Sequence, residues 1–331
     1  MGVHDSPLVS VVTPVYNGEA YLAECIESVL GQTHSNLEHI IMDNCSTDGT
    51  SKIANEYAKK DSRIRVYRND VLVNIIENHN RAFRLISADS KYCKVVCGDD
   101  WIFPECIARM SQLAEAHPSI GVMSAYQLSG GGNKWYVRTD GLPYSCTLIP
   151  GREIGRLHLL GKLDVLGNPT SNMYRSDLVR ATESFFPNAS AEADVSACFE
   201  QLRASDFGFV HQVLSHERLH ERQITNTSKD LNAYLSSRLS DLIKYGPDYL
   251  TKAELDMRLN QLLDEYYAYL GLSAVNFRNR EFWNYHKKRL NELGHPLEGL
   301  RLAKAISAKS LDLLLNPKQT VEKALRRSRA V

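Results

Sequence analysis

Several things are scarce in this chain, and each scarcity closes a route. Its 39 basic and 39 acidic side chains cancel to a formal net charge of +0. The global positive field that nucleic-acid binding generally needs is therefore missing, and nucleic acid is not an expected partner. The seven cysteines (Cys25, Cys45, Cys93, Cys97, Cys106, Cys146, Cys198) are odd in number, scatter through apolar segments and include no CxxC pair. That distribution argues against a disulfide framework or a zinc site, and for reduced, buried thiols in a cytoplasmic protein. No window reaches the roughly 18 apolar residues of a membrane helix, and "MGVHDSPLVSVVTPVYNG" has no basic start leading into a long apolar run. Neither secretion nor a membrane span is expected. What is present is 331 residues with 43% apolar side chains, enough to bury a large core in one big domain or two modest ones.

Two hydrophobic periods alternate along the first half. "LVSVVTP" reads as a short strand, broken by Pro14 and the turn at Asn17 and Gly18, and "EAYLAECIESVLGQ" then spaces Tyr21, Leu22, Cys25, Ile26, Val29 and Leu30 as a helix face. "LEHIIMDN", "RIRVYRN", "KYCKVVC" and "IGVMSAYQL" read as further strands. Helices are predicted over Ser51 to Lys60, around Glu77 to Ile86, and in "ECIARMSQLAEAHP". Strands separated by helices of this length predict an α/β fold with a mostly parallel sheet covered on both faces, because parallel neighbours need crossover connections. Ligands of such sheets bind at the C-terminal strand ends. The polar ends here are Thr13 to Asn17, Asp43 to Asp48, and Asp99 with Asp100.

Those ends carry the chemistry. Asp43 follows the apolar "HIIM" and needs a partner to offset its desolvation. In "NCSTDGT", Ser46 or Asp48 can cap the next helix, which is the plain reading of Asp48. In "VVCGDDWIFPE", Asp99 and Asp100 are adjacent carboxylates at the tip of a core strand, either a solvated turn before a helix or a pair that raise each other's pKa until a cation neutralises them. Oxygen ligands of this kind suit Mg²⁺ or Mn²⁺ completed by water and substrate phosphates.

The run "VSVVTPVYNGEAYLAECIESVLGQTHSNLEHIIMDNCSTDGT", followed by the acidic strand end and then a second acidic cluster, resembles the family-2 glycosyltransferases of bacterial cell-surface polysaccharide synthesis. The resemblance implies a GT-A fold, Rossmann-like, over residues 1–225, with a nucleotide-sugar half over about 1–125, an acceptor half over about 126–225, and a helical C-terminal region over 226–331. It implies inverting transfer of a sugar from a nucleotide-diphosphate donor, expected to be a UDP-sugar, to a hydroxyl of a glycan or lipid-linked acceptor. By the same resemblance Thr13, Pro14, Tyr16 and Asn17 frame the nucleotide, Asp43 binds the base, and Asn80 and Asp99 complete that site. Asp99 and Asp100 match the end of the metal-binding motif, so Mn²⁺ or Mg²⁺ is the implied cofactor. The motif departs from the family where Cys97 stands two residues before Asp99, a position many relatives fill with an acid. Arg81 and Arg84 are either diphosphate contacts or ordinary helix-surface arginines.

The second half supplies the acceptor side of the resemblance. Trp101, and Asn168 and Thr170 in "GNPTSNMYRSDLV", are expected near the reacting centre. "FPNASAEADVSACFEQL" puts Glu192 and Asp194 before a helix; Asp194 aligns with the family's catalytic base, with Glu192 as the alternative and helix capping as the plain reading. "RLHERQIT" resembles the family's Arg-x-His segment, making His220 a third metal ligand and Arg218 a diphosphate partner. Beyond about Asn226 the chain reads as amphipathic helices that pack on the catalytic domain or form a homodimer. The end of the chain carries Arg301, Lys304, Lys309, Lys318, Lys323, Arg326, Arg327 and Arg329, which suits an exposed tail or peripheral contact with the inner face of a membrane. Two rivals stand beside the transferase: a sugar nucleotidyltransferase, disfavoured because "TPVYNGEAYL" lacks Lys and Arg, and a degenerate binding or scaffold subunit.

Overall fold

The computed structural model describes residues 6–132, 134–188, 190–220 and 231–316. The chain divides into two compact units, residues 1–224 and 225–331. In the first, β1 (Val9–Val15), β2 (Leu37–Asp43), β3 (Ile64–Arg68) and β4 (Tyr92–Val95) run parallel in the order β3-β2-β1-β4. Every residue of β1 is buried, as expected of a strand covered on both faces, and its β-branched run shows no alternation for that reason. The crossovers are α1 (Leu22–Leu30), α2 (Thr50–Ala58) and α3 (Ile75–Phe83). Leu22, Cys25, Ile26 and Val29 of α1 point inward at helical spacing, matching the sequence-based expectation.

Past β4 come β5 (Trp101–Ile102), α4 (Cys106–Ala116), β6 (Ile120–Gly131), β7 (Lys134–Arg138), β8 (Leu148–Ile149) and α5 (Gly151–Leu159). They are followed by β9 (Met173–Arg175), α6 (Ser176–Arg180), α7 (Ala193–Leu202) and β10 (Asp206–Arg218). The sheet continues from β4 through β9, β6 and β10 to β5, while β7 pairs with β6 and β8 with β10. β9 is antiparallel to both β4 and β6. Its direction follows from its approach: a 3₁₀ turn at Pro169–Ser171 lies beside the C-terminal end of β4, so the chain must run back down the sheet. Ile107, Met110 and Ala114 of α4 pack with Val9, Val11, Met123 and Leu214 in one core cluster.

The second unit is helical, with α8 (Ala233–Tyr249), α9 (Lys252–Val275), α10 (Arg280–Glu292) and α11 (Gly299–Leu315). Thr251 and Glu254 form a reciprocal capping box that starts α9. Leu263, Tyr266, Leu270, Phe282 and Leu290 are buried, and Gly271 lets α11 approach closely, since a Cβ there would sit 2.8 Å from the Ala305 backbone. No described helix is long and apolar enough to cross a membrane. Leu300, Leu311, Leu314 and Leu315 of α11 are exposed; Lys318, Lys323, Arg326, Arg327 and Arg329 lie outside the described residues.

Candidate active site at the strand tips

At the end of β1, Tyr16 is 43% exposed and Asn17 takes a φ of 50°, a left-handed turn that Asn tolerates. The Asn17 side-chain oxygen accepts from the Thr47 N–H at 2.8 Å, and the Asn17 N–H donates to Ser46 Oγ at 2.9 Å. These bonds fasten the tip of β1 to the loop after β2. Asp43 is fully buried there; it accepts from the Ser46 N–H at 2.9 Å and from the Ser51 hydroxyl, and pairs with Arg68 Nη1 at 3.0 Å. The partner that a buried acid requires is thus Arg68 at the end of β3. Burial opposes ionisation of Asp48, but hydrogen bonds from Thr50 and from the Glu19 N–H outweigh it and hold the carboxyl below its ordinary range, which is the helix-start role.

The tip of β4 is different. Gly98 allows the chain to lie against β1, because a Cβ there would fall 2.8 Å from the Val15 side chain. Asp100 is 5% exposed; its carboxyl accepts from the Thr170 hydroxyl at 2.5 Å and the Arg218 N–H at 3.0 Å. Burial first, and the neighbouring Asp99 second, push it well above the usual carboxylate range. Asp99 lies further out, with one oxygen 3.1 Å from His220 Nε2. Arg218 donates from Nε to the Asp99 carbonyl at 3.1 Å, pairs with Glu24, and lies 4.5 Å and 4.8 Å from the ring centroids of Tyr21 and Trp101. Asp99, Asp100, Arg218 and His220 are thus brought together at one strand tip. Among the described residues, no three His, Cys, Asp or Glu side chains form a cation cage.

One turn links this tip to the second acid. The Thr170 hydroxyl accepts from the Cys97 N–H at 3.1 Å while donating to Asp100. The wholly buried Lys94 donates to the carbonyls of Thr170 at 2.5 Å and Asn172 at 3.0 Å, and burial lowers its pKa. At the start of the turn Gly167, at φ 90°, passes under α7; a Cβ there would sit 2.6 Å from Val195 and 3.2 Å from an Asp194 carboxyl oxygen. Asp194, in the first turn of α7, has its carboxyl raised by burial and partly offset by N–H groups of Val195 and Asn168 and by the field of Arg138. Glu192 is buried at the helix start and makes no capping bond.

Several expected contacts have other work. Thr13 is fully buried, its hydroxyl 2.8 Å from His39 Nε2, so it faces the core and not the nucleotide cleft. Both ends of the Asn80 amide are taken by the Phe186 backbone, at 3.1 and 2.9 Å, which makes it a buried clamp. Thr170 is fully buried and serves Asp100, not an acceptor. Asn168 exchanges amide hydrogen bonds with Gln127, so its backbone, not its side chain, meets Asp194. Pro14 is buried beyond the last β1–β4 pair, where its missing N–H costs no ladder bond. Trp101 stacks on His216 with centroids 3.5 Å apart. Arg81 and Arg84 bind Glu77 on the helix surface. Cys97 is held as a neutral thiol by burial and then by Asp100. The sequence reading missed Lys94, Arg68 and Gln127. A lysine in the middle of the apolar "KYCKVVC" was the one available signal.

This sheet and its tips define a class. Residues 1–349 of S. aureus TarS bound to UDP-GlcNAc superpose with a TM-score of 0.64 at 19% identity, covering 97% of this chain and 92% of that one. The mannosyltransferase PcManGT from Pyrobaculum calidifontis, in complex with GDP-Man and Mn²⁺, gives 0.56 at 15% identity over 96% and 84%. The fold is GT-A. In sequence, the chain is 26% identical over 274 residues to glycosyltransferase GlyG of Streptococcus pneumoniae, covering 79% of this chain and 88% of that protein. Residues 10–182, just over half of the chain, match the model of glycosyl transferase family 2, and the chain belongs to that family.

Proposed function

We propose that this protein transfers a sugar from a nucleotide-diphosphate donor to an acceptor hydroxyl with inversion, in the synthesis of a bacterial cell-surface glycan. The observation that carries the reading is the turn at residues 167–172, whose hydrogen bonds reach both Asp100, on the donor side, and Asp194, on the acceptor side. Residues 1–225 form the catalytic domain in this reading, its donor half ending near residue 125. Tyr16 and Asn17 line the nucleotide beside the Asp43–Arg68 pair, and a uridine donor is expected.

The carboxylate and imidazole donors gathered at this tip suit a divalent cation that takes its remaining ligands from diphosphate and water, and a cation there would favour the ionised form of Asp100, which burial and Asp99 disfavour. Asp99 and His220 would hold Mn²⁺ or Mg²⁺, with Asp100 behind them. When bound, the ion neutralises charge on the departing diphosphate. The remaining chemistry belongs to the chain. Asp194 accepts the proton of the acceptor hydroxyl as that oxygen attacks the anomeric carbon from the face opposite the diphosphate. Burial raises its carboxyl toward working pH, where a general base is most effective. The N–H groups of Asn168 and Val195 fix its orientation, and holding both reactants in one cleft removes entropy from the barrier. No covalent enzyme intermediate is formed.

Calorimetric titration of UDP, dTDP and GDP, with and without Mn²⁺, tests the donor side. Metal-dependent binding of one nucleotide, abolished in Asp99→Asn, is expected. Absence of binding by all three with metal present would leave the scaffold reading in its place.

A further inference from the structure

Helix α11 is apolar on two sides. Leu302, Ala305, Ile306 and Leu313 are half-buried along one of them, where Ala305 meets Gly271 of α9. Leu300, Leu311, Leu314 and Leu315 fall within one arc on the other and are 56% to 86% exposed. The contacts with α9 advance together: Arg301 pairs with Asp264 and lies over Tyr267, while Ala305 meets Gly271. The two helices therefore run in the same direction. Six residues past the Gly271–Ala305 contact, about 9 Å of helix rise, come Phe277 on one chain segment and Leu311 on the other, with Leu314 and Leu315 further still. Phe277 stands in the turn that closes α9, 93% exposed and at a φ of 52°, a conformation bulky residues rarely adopt. Arg278 and Arg280 follow it, both exposed. One end of the helical unit thus gathers an aromatic ring and three leucines in water, with arginines beside them.

Charge decides what covers that end. Residues 299–331 hold eight Lys and Arg against Asp312 and Glu322, a net +6 in a chain whose total is +0, so the remaining 298 residues carry −6. A second copy of the chain docked here through the same surface would set +6 against +6, which opposes self-association. An anionic lipid surface answers both properties at once: its headgroups attract the basic side chains, and the boundary with its acyl chains takes up the ring and the leucines. An acidic protein or nucleic acid would meet the charge and leave the apolar end in water.

We infer that the end of the helical unit formed by Phe277 and Leu311, Leu314 and Leu315 seats the protein on an anionic lipid bilayer. The inference stands apart from the transferase reading and needs no nucleotide. The full chain is sedimented with vesicles of phosphatidylcholine alone and of phosphatidylcholine and phosphatidylglycerol in equal parts, and its self-association is followed by sedimentation velocity without lipid. The wild type should bind the mixed vesicles, less as salt rises, and should leave the neutral ones unbound. Phe277→Ser, and Leu314→Ser combined with Leu315→Ser, should each weaken that binding about tenfold or more without changing a basic residue. Met257→Ser removes an exposed apolar side chain near the opposite end of α9 and should stay within about twofold. These side chains are exposed, so the melting temperatures should match wild type. No binding of the wild type to mixed vesicles overturns the inference, as does equal binding to both vesicle types. Unchanged binding by the Phe277 and leucine variants also overturns it, since basic charge alone would then hold the protein. A wild-type dimer that the leucine variant dissolves, with no lipid bound, replaces it with self-association.

Discussion

Two strand tips, on either side of β1, hold carboxylates under opposite conditions. After β2, Asp43 has Arg68, Ser51 and the Ser46 N–H, and Asp48 has Thr50 and the Glu19 N–H, so both acids lie in a shell of donors drawn from their own surroundings. After β4, Asp100 is buried like Asp43 but has one hydroxyl and one N–H, with a second carboxylate beside it. Burial is common to both. What separates a scaffold acid from a candidate site is whether the chain itself supplies the compensating charge.

The largest effect should come from the acid across the cleft. Asp194→Asn should lower kcat by about 10²–10⁴ with nucleotide affinity unchanged in calorimetry; wild-type turnover would remove Asp194 from the chemistry. In the proposed mechanism the same residue sets the pH dependence. Its carboxyl is raised by burial and must be ionised to act, so kcat/KM should fall as pH drops through a pKa above the ordinary carboxylate value. A rate profile of wild type against Asp194→Asn checks this, because the residual activity of the variant should lack that acid limb.

Lys94→Met tests the link between the two acids. It strips the donor from two buried carbonyls, each worth about 1–3 kcal/mol when left unsatisfied, and slackens the turn beneath Asp100. Urea unfolding should show the lost stability, and kcat should fall more than the donor KM rises. A variant that is destabilised but turns over normally would make Lys94 purely structural. Arg68→Met sharpens the contrast from the scaffold side. Because Arg68 is half exposed, solvent tempers the loss, and about 1 kcal/mol of stability should go with turnover changed only a few-fold. A hundredfold loss of activity would place the Asp43–Arg68 pair in the site. Smallest of all, Lys288→Ala removes a pair whose lysine is 77% exposed and 3.9 Å from Glu292, and its melting temperature should be indistinguishable from wild type.

These contrasts also mark how far the sequence could be read. Strand and helix positions in the first half were legible because the period of apolar residues changes sharply, as between "LVSVVTP" and "EAYLAECIESVL". The acids at the tips were legible because a charge at the end of an apolar run stands out. Side-chain direction was not. Thr13 sits two residues from the strand end and looked available, yet β1 is buried on both faces and its hydroxyl meets His39. Asn80 lies on a helix whose apolar face could be recognised, but the Phe186 backbone that occupies its amide is 106 residues away. The antiparallel course of β9 was hidden for another reason: three residues carry no directional signal.

By itself, the sequence determined the α/β class, the alternation of strands and helices in the first half, the helical C-terminal unit and the placing of acids at strand ends, since periodicity and local desolvation act within a few residues of each other. Tertiary structure alone decided which acids are satisfied and which are left under strain. That depends on donors brought from far along the chain, Arg68 to Asp43, Thr170 to Asp100 and the Asn168 N–H to Asp194, and no local pattern of residues encodes a hydrogen bond across a sheet.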